Sequence, residues 1–343
     1  MIRRYGLITL AAASSLASIL APAAKAQLWT WTKDQMTEYT KAWTGDRFAD
    51  GRPKVPDQWM ERAKDMSQEE ITIPAGGGGG GRGAEAAPAA GGRGGQGGGQ
   101  GAAPAGRGGG AGAGGGGGYS QYAGDWNVLH PEIKMTGRAF TMQFMPARPD
   151  LDQIVLGKAR ANGIQTLNNQ YGLDMLQPGD VAVVDLFGKK EGGTIVGDNL
   201  FYYIMKATKG GGLVVEGSFR DLDGIAGMMM ACYYRSVHPS AIGGATLSGI
   251  NVPIRIGSVT VLPGDLVVGD REGVSFIPPQ YAETILDRAD ETHVHDEWTR
   301  KKFDEGKYKS SEIYGSPRDP ALRQEYADYL KKRLAEIRAA RQK

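Results

Sequence analysis

The sequence has little of what cross-links or anchors many proteins. It contains one cysteine, Cys232, so no disulfide can form within the chain. After residue 26, no stretch approaches the roughly 20 consecutive apolar residues needed to cross a bilayer. The formal net charge is only +2, which gives no broad electrostatic attraction for nucleic acid or for an acidic membrane. The fold must therefore depend on an ordinary hydrophobic core or on subunit contacts.

Common catalytic motifs are also missing. The chain has no Gly-x-Ser-x-Gly elbow, no P-loop and no Gly-x-Gly-x-x-Gly placed between a strand and a helix. Only four histidines are present: His130, His238, His293 and His295. Residues two apart on a helix do not face each other, so His293 and His295 form a poor metal chelate. Cys232 lies among methionines and a tyrosine, which favours a buried structural thiol over a reactive one.

The first 26 residues have the pattern of a signal peptide. Arg3 and Arg4 supply a positive start, and an apolar stretch follows from Leu7 to about Ala21. Ala24-Lys25-Ala26 offers a small-x-small cleavage site just before Gln27. We therefore predict export to the periplasm or the medium, with no membrane span after cleavage.

Glycine is concentrated in one segment. The chain has 53 glycines among 343 residues, and residues 75–118 are nearly all Gly and Ala. Such a segment buries almost no apolar surface and cannot offset its chain entropy, which predicts a disordered insertion. Arg82, Arg93 and Arg107 resemble RGG-type RNA-binding tracts, but they are few and exported proteins rarely meet RNA. A flexible loop with no nucleic-acid partner is the favoured interpretation.

A tryptophan-rich extension, residues 27–74, precedes the insertion. Its four tryptophans would be costly to expose, so we expect them to dock on the main domain or on a neighbouring subunit: Trp29, Trp31, Trp43 and Trp59. Thr32-Lys33-Asp34-Gln35 predicts the start of a helix that runs towards Trp43. Val55-Pro56-Asp57 predicts a second helix through Met66.

From residue 119 to about 306, short β-type runs alternate with helical stretches. The clearest β-type runs are residues 139–144, 181–185, 213–216 and 267–268, and helices are predicted over residues 200–209 and 279–302. Strands interleaved with helices predict an α/β domain. Residues 307–343 form a charged tail in which a helix with an apolar stripe is predicted: Tyr326, Leu330, Leu334 and Ile337.

A Pro-Gly-Asp motif occurs twice in this domain. Pro178-Gly179-Asp180 and Pro263-Gly264-Asp265 each precede an apolar run. Pro-Gly suits a tight turn, because Pro presets φ and Gly tolerates positive φ. Both motifs are therefore predicted to start buried strands, without a catalytic role.

One segment places residues that suit carboxylate and metal chemistry at a strand end. Gly197-Asp198-Asn199-Leu200 opens a predicted helix, and free backbone N–H groups at such a start suit a substrate carboxylate. A strand ending near Gly217 then places Arg220 and Asp221 on the next loop. Together they supply a fixed cation for an oxyanion and a hard oxygen ligand for Mg²⁺ or Mn²⁺. Spacing alone leaves a surface ion pair equally open.

This arrangement resembles the RraA-like family, whose signature is a Gly-[Asp/Glu] loop, a helix, a strand and then Asp-Gly-x-x-Arg-Asp. The last element is Glu216-Gly217-Ser218-Phe219-Arg220-Asp221 here. Gly137-Arg138-Ala139 matches the opening strand, and residues 261–270 and 273–278 resemble the closing strands. The resemblance covers roughly residues 125–289. Residues 48–53 also resemble an N-terminal stretch of some members, which implies that the Gly-rich segment is an insertion within one folded unit.

The resemblance implies both a fold and an activity. Family members share a compact α/β sandwich of the swivelling type, to which this chain adds N- and C-terminal helical extensions. They assemble as homotrimers or hexamers with sites between subunits. Members include 4-hydroxy-4-methyl-2-oxoglutarate aldolases, which often also decarboxylate oxaloacetate. The implied activity is a metal-dependent lyase that cleaves a 4-hydroxy-2-oxo acid and releases pyruvate.

The resemblance also implies roles for particular residues. Asp221 would bind the divalent metal, Mg²⁺ or Mn²⁺, and Arg220 would neutralise the enolate formed as the carbon–carbon bond breaks. Asp198 would serve in acid–base catalysis. The substrate, a small 2-oxo acid, would be bound by Gly197, Asp198, Asn199, Leu200 and Arg220.

Two departures from the aldolase pattern bear on this activity. The pattern leaves twenty residues between an Asp and the Arg-Asp pair, whereas twenty-one lie between Asp198 and Arg220, and Asn199 holds the expected position. Either the turn near Lys209 carries one extra residue or the acid–base function of that Asp is lost. Glu216 also replaces the usual Asp, which keeps the charge but lengthens the side chain.

Two alternatives to the lyase remain open. The family's namesake regulates an RNA-degrading enzyme by binding it, so one alternative is a non-catalytic protein-binding module. The retained Arg220-Asp221 pair favours chemistry over this module. The other alternative is a different exported activity on the same fold, because fold does not fix function.

Overall fold

The computed structural model describes residues 30–72, 121–161, 163–165 and 168–341. The signal peptide predicted over residues 1–26 and the disordered insertion predicted over residues 75–118 lie outside the described residues, as does Trp29.

The described strands are β1 (Gln121–Ala123), β2 (Asn127–Leu129), β3 (Met135–Pro146), β4 (Asp180–Thr194), β5 (Gly212–Phe219), β6 (Cys232–Val237), β7 (Ala245–Ile250), β8 (Ile254–Ile256), β9 (Val259–Val261), β10 (Leu266–Gly269) and β11 (Val274–Ile277). The described helices are α1 (Lys33–Tyr39), α2 (Asp57–Lys64), α3 (Gln68–Thr72), α4 (Pro149–Ala161), α5 (Asn169–Leu173), α6 (Asp198–Thr208), α7 (Leu222–Ile225), α8 (Pro279–Asp304), α9 (Ser310–Ile313) and α10 (Pro320–Arg341).

Nine of the described strands form one mixed sheet. Its order is β1-β11-β10-β3-β4-β5-β6-β2, with β7 paired to β3, while β8 and β9 form a separate hairpin. Strands β3, β4, β5 and β6 run parallel, and every residue of β5 is buried. Parallel strands buried on both faces account for the continuous apolar runs in the sequence. The predicted α/β class is confirmed.

Helices and a hairpin cover the two faces of the sheet. One face packs against α5 and α6 through Leu173, Phe201 and Ile204. The opposite face packs under the β8–β9 hairpin through Ile254 and Ile256. The carboxyl ends of the four parallel strands meet at one edge between these layers, where open α/β sheets place their ligand sites.

The tryptophan-rich extension packs on the α/β domain through a shared apolar cluster. Helices α2 and α3 contribute Met60, Met66 and Ile71, which lie with residues of β10, β11 and α8. The rings of Trp43 and Trp59 meet edge to face at 6.0 Å, and Trp59 packs against the same cluster. Docking is therefore confirmed for these two side chains. Residues on both sides of the Gly-rich segment share one core.

A buried ion pair fixes the extension to the sheet. The Arg52 guanidinium makes a two-pronged contact with Asp180, with Nη1–Oδ1 at 2.8 Å and Nη2–Oδ2 at 3.2 Å. Arg52 is 1% exposed and Asp180 is fully buried. The Phe48 ring covers the guanidinium at 4.4 Å. Because the pair is dry and bidentate, separating it would leave a charge without a partner in the core.

The first predicted helix starts as expected and ends early. Thr32 and Gln35 form a capping box at the start of α1. The helix stops at Tyr39, short of Trp43, because Arg47 donates to the carbonyls of Thr40 at 2.8 Å and Trp43 at 2.9 Å. A distant guanidinium thus replaces the hydrogen bonds of a further helical turn. The second predicted helix, α2, likewise ends at Lys64 instead of Met66.

Both Pro-Gly-Asp motifs have the same local structure. The amide three residues earlier donates to each Asp: Gln177 N to Asp180 Oδ2 at 2.9 Å, and Leu262 N to Asp265 Oδ2 at 2.8 Å. The two motif glycines have φ near +82° and +88°. Both motifs start buried strands, as predicted. They differ in partner: Asp180 meets Arg52, whereas Asp265 Oδ1 has no hydrogen bond and burial raises the pKa of Asp265 to about 7.

The C-terminal helix α10 packs along α8. Tyr326, from the predicted apolar stripe, lies 5.1 Å from the Trp298 ring. Arg341 reaches the Asp290 carboxylate at 2.6 Å. Asp290 also accepts hydrogen bonds from Arg62 of α2, so one carboxylate joins the extension, α8 and α10. No helix in the described ranges combines the length and apolarity of a membrane span.

Candidate active site

The predicted site residues meet at the carboxyl edge of the parallel strands. Gly197 is the N-cap of α6, directly after the chain leaves β4. Arg220 and Asp221 follow the last residue of β5, which pairs in parallel with β4. The strand and the helix start therefore converge because adjacent parallel strands end at the same edge.

Arg220 and Asp221 form a partly exposed pair. Arg220 Nε lies 3.4 Å from Asp221 Oδ2, and the side chains are 30% and 42% exposed. Arg220 Nε itself is buried without a hydrogen-bond partner among the described residues. A buried guanidinium donor with no partner is costly, so this atom is suited to an anionic ligand.

The backbone of Asp221 is strained. Its φ is 59° and its ψ is 34°, in the left-handed region that glycine prefers. This conformation turns the chain directly into α7, and the Ile225 amide donates to the Asp221 carbonyl at 3.1 Å. Strain of this kind persists where the surrounding structure demands it and concentrates at functional sites.

Gly197 is in close contact with this pair. A Cβ at this position would overlap Asp221 Oδ2 and would lie 3.0 Å from Arg220 Nη2. The φ of Gly197, −103°, is open to any residue, so the backbone conformation does not require glycine. Glycine is needed because a side chain would not fit between α6 and the Arg-Asp pair. The helix start and the Arg-Asp loop thus share one small space.

The structure places Asp198, and not Asn199, at the pair. The Asp198 amide lies 3.4 Å from Asp221 Oδ2, and its carboxylate lies above Gly224 of α7. The Asn199 side chain is exposed to solvent. The turn after α6 holds Lys209 at φ 57° and Gly210 at φ 86°, a left-handed bend that accommodates the residues between helix and strand. The backbone of Asp198 therefore lies at the pair, and its side chain packs on the helix that follows Asp221.

The helix start offers fewer free amides than the sequence predicted. The Asp198 amide faces Asp221 Oδ2, and the Asn199 amide donates to Asp198 Oδ1 at 2.7 Å. The Leu200 side chain packs against the core instead of the site. Two of the four predicted carboxylate-binding amides are thus engaged by the protein's own carboxylates, which neutralise the helix start.

Glu216, the residue that departs from the family pattern, has a structural role. Its Oε2 accepts hydrogen bonds from Arg235 Nε at 3.0 Å and from the Gly257 amide at 3.0 Å. The Arg235 guanidinium lies 3.5 Å from the Trp126 ring centre. Nearby, burial and the Glu216 charge raise the pKa of Asp185. The longer side chain ties β5 to β6 and to the β8–β9 hairpin.

The two histidines of α8 have separate partners, and the predicted burial of Cys232 is confirmed. His293 contacts Glu70 at 2.8 Å, while His295 Nε2 faces the Gly315 carbonyl at 3.0 Å, so the two rings do not share a ligand. Cys232 is fully buried, and burial raises the pKa of its thiol. It is therefore unsuited to nucleophilic chemistry.

His238 is a residue at this edge to which the sequence analysis gave no role. Phe219 of β5 pairs with Val237 of β6, and the His238 amide donates to the Phe219 carbonyl at 3.0 Å. Arg220 and His238 therefore leave adjacent strands at the same edge of the sheet, where neighbouring backbones are about 5 Å apart. The sequence could have indicated this position only if the parallel pairing of β5 with β6 had been known.

The site suits a hard divalent cation that is held by few protein ligands. The described residues contain no cluster of three or more His, Cys, Asp or Glu side chains poised around a metal position. They do provide the Asp221 carboxylate, with the Asp198 amide 3.4 Å from its Oδ2 and the Asp198 side chain against Gly224 of α7. Mg²⁺ is commonly bound through one or two carboxylates, with water and substrate oxygens completing its shell. Arg220 Nε makes no hydrogen bond to a described residue, so it adds a donor for the substrate.

Relatives of known name share this part of the chain. The family model RraA-like, described as Aldolase/RraA, matches residues 115–275. A candidate 4-hydroxy-4-methyl-2-oxoglutarate aldolase from Halalkalibacterium halodurans is 35% identical over 150 residues, which cover 43% of this chain and 70% of that protein. A protein of the same name from Ectopseudomonas mendocina is 33% identical over 108 residues, 31% of this chain and 64% of its own length.

A solved structure shows a further likeness. The Streptomyces coelicolor protein RraAS2, an unusual member of the RNase ES inhibitor RraA protein family, is 31% identical. The match covers 53% of this chain and 84% of that protein, with a TM-score of 0.45. On the sequence match over most of the H. halodurans protein, together with the family model, this chain belongs to the Aldolase/RraA family.

Proposed function

We propose that the protein is a divalent-metal-dependent lyase that cleaves a 4-hydroxy-2-oxo acid of the 4-hydroxy-4-methyl-2-oxoglutarate type and releases pyruvate. Oxaloacetate decarboxylation is a second activity of the same site. One observation carries the proposal: the buried Arg220 Nε, which makes no hydrogen bond to a described residue, lies 3.4 Å from the Asp221 carboxylate at the edge where the parallel strands end, and the Asp198 amide faces the same carboxylate. A surface ion pair requires neither this burial nor the strained Asp221 backbone.

The side chains divide the chemistry of a retro-aldol cleavage among them. Asp221 would hold Mg²⁺ or Mn²⁺, which supplies Lewis-acid polarisation of the 2-oxo acid. Asp198 accepts the proton of the 4-hydroxyl group as the bond between C3 and C4 breaks. The electron pair of that bond becomes the pyruvate enolate, and the C4 oxygen becomes a carbonyl. The proton taken by Asp198 is then returned to C3, which converts the enolate into pyruvate. Arg220 neutralises the enolate oxygen, where negative charge develops.

Pyruvate release tests the proposal directly. The assay uses 4-hydroxy-4-methyl-2-oxoglutarate and oxaloacetate, with Mg²⁺ and with a chelator. We expect release that requires the metal and that Asp221→Asn lowers by at least about 100-fold. Asp223→Asn is the matched control, because this exposed carboxylate lies two residues further on and outside the cluster. A folded, Mg²⁺-supplied protein that releases no pyruvate from either substrate would favour the non-catalytic binding module.

Assembly and export belong to the same proposal. A homotrimer or hexamer, with sites between subunits, is expected by resemblance to the family. Light scattering coupled to size-exclusion chromatography measures the mass of the assembly. Export predicts a mature N-terminus at Gln27, which sequencing of the protein from a periplasmic or secreted fraction would detect. A mature chain that begins at Met1 in the cytoplasm would contradict it.

A further inference from the structure

Hydrogen bonds at Nδ1 hold the imidazole of His238 in one orientation. The Ser240 amide donates to His238 Nδ1 at 3.3 Å. Ser240 Oγ lies 2.8 Å from the same nitrogen and accepts a hydrogen bond from the Gly192 amide at 2.7 Å. An amide N–H can only donate, and the hydroxyl proton of Ser240 is free to point at Nδ1. Two donors on Nδ1 assign the proton of the neutral ring to Nε2.

This Nε2–H group is available to a ligand. His238 is half-buried, and none of the described residues takes a hydrogen bond from its Nε2. The backbone of His238 is fixed from both sides: its amide bonds Phe219, and its carbonyl accepts from Thr194 Oγ1 at 3.1 Å. Thr194 begins the segment that leads to Gly197. The ring is thus a preorganised donor next to the Arg-Asp pair.

The position of His238 indicates which part of a substrate it meets. Asp221, Asp198 and Arg220 are placed to bind the 2-oxo acid end. His238 lies one strand further along the same edge, at a spacing of about 5 Å. His238 is thus the next position along the edge from Arg220, towards which the far end of a bound 2-oxo acid would extend. A neutral N–H donor suits a carboxylate oxygen without adding a second fixed charge.

We propose that His238 is a substrate-binding residue that makes the site selective for 2-oxo acids with a second carboxylate. Its Nε2–H donates to an oxygen of that distal carboxylate. The inference rests on the proposed function, since it assigns the 2-oxo acid end to the Arg-Asp pair. No bond is made or broken at His238, so its contribution is to affinity and orientation.

Binding of two non-cleavable ligands separates this inference from the proposed reaction. 2-Oxoglutarate has both carboxylates but no 4-hydroxyl group, and 2-oxobutyrate lacks the second carboxylate. Calorimetry of the Mg²⁺-supplied protein gives their dissociation constants. In His238→Asn we expect 2-oxoglutarate to bind about 10- to 100-fold more weakly, the range for one hydrogen bond to a charged group, with 2-oxobutyrate unchanged. His238→Gln, whose longer side chain carries its N–H group about as far as the His Nε2, should recover part of the loss.

The variants are chosen so that folding does not confuse the result. The Asn side-chain oxygen can accept the two Ser240 hydrogen bonds that Nδ1 accepts, which keeps the loop in place. His293→Asn is the matched control, because this ring lies on α8 and is 47% exposed. It should leave both dissociation constants unchanged.

Ring ¹⁵N chemical shifts test the protonation form without any ligand. A neutral ring with its proton on Nδ1 would overturn the inference, as would equal weakening of both ligands or no weakening of either. If 2-oxoglutarate selectivity depends on His238 but no 4-hydroxy-2-oxo acid is cleaved, the binding role holds and the lyase function fails. If the protein cleaves a 4-hydroxy-2-oxo acid but His238→Asn leaves 2-oxoglutarate binding unchanged, the lyase function holds and the binding role of His238 fails.

Discussion

Replacing Asp221 by glycine, asparagine and alanine separates the stability of the loop from the chemistry of the site. Asp221 has φ 59° and is a non-glycine residue in the left-handed region. That region costs about 1–2 kcal/mol for a residue with a Cβ, less for Asn and Asp, and nothing for Gly. The ion pair with Arg220 is partly exposed, so it adds only about 0–1 kcal/mol to stability.

These magnitudes predict an order of stability. Asp221→Gly loses the weak ion pair and gains relief of strain, so its free energy of unfolding should stay within about 1 kcal/mol of the wild type. Asp221→Asn should be similar, because Asn also tolerates the left-handed region. Asp221→Ala keeps the strain without a polar side chain, and should be about 1–2 kcal/mol less stable than the glycine variant.

Activity should follow a different order. All three variants lose the carboxylate, so each should release pyruvate at least about 100-fold more slowly, including the most stable one. Urea unfolding gives stability, and a coupled assay for pyruvate gives rates. The reasoning fails if the alanine variant is as stable as the glycine variant. It also fails if Asp221→Gly keeps its activity, since the carboxylate would then be dispensable.

Three further predictions concern the core and the helix start. Arg52→Met should lower the free energy of unfolding by about 3–5 kcal/mol, because Asp180 would remain buried and unpaired; adding Asp180→Asn should recover much of the loss in the same urea titration. The raised pKa of Asp265, about 7, means that the native state keeps a proton that the unfolded chain releases near pH 4. Wild-type stability should therefore fall relative to Asp265→Asn as pH rises from about 4 to 7, by up to about 1.4 kcal/mol per pH unit. Gly197→Ala should fold but lower kcat by about 100-fold, because its methyl group would displace Asp221.

Each of the three has a clear contrary result. A loss below about 1 kcal/mol for Arg52→Met would mean that water reaches Asp180. Parallel pH profiles for the wild type and Asp265→Asn would show that this carboxyl ionises as in the unfolded chain. Unchanged kinetics for Gly197→Ala would mean that the loop moves freely, and that close contact is not required at the site.

Local signals in the sequence were sufficient for several elements. Thr32 and Gln35 predicted the start of α1, because a capping box acts over three residues. The two Pro-Gly-Asp turns were predicted for a similar reason, since a turn depends on φ values and on a side chain three residues away. The end of α1 was not predicted, because Arg47 terminates it from outside the helix.

The candidate site also contains residues that the sequence could identify and residues that only the structure could identify. Arg220 and Asp221 could be selected because they are adjacent at a strand end and match a family signature. The choice between Asp198 and Asn199 could not be made by counting residues, because the packing of α6 against the loop after β5 decides which residue contacts Asp221. His238 was missed because its proximity to Arg220 depends on the register between β5 and β6.

The sequence by itself determined the α/β class, the two strand starts at the Pro-Gly-Asp motifs and the Arg-Asp pair, because periodicity, turn chemistry and adjacency operate within a few residues. The tertiary structure decided the rest. It joined Arg52 to Asp180 across 128 positions and paired Glu216 with Arg235. It also left Arg220 Nε buried without a hydrogen bond to a described residue. Those outcomes depend on which distant groups share a water-free space, where an unpaired charge is costly and a paired one is tolerated.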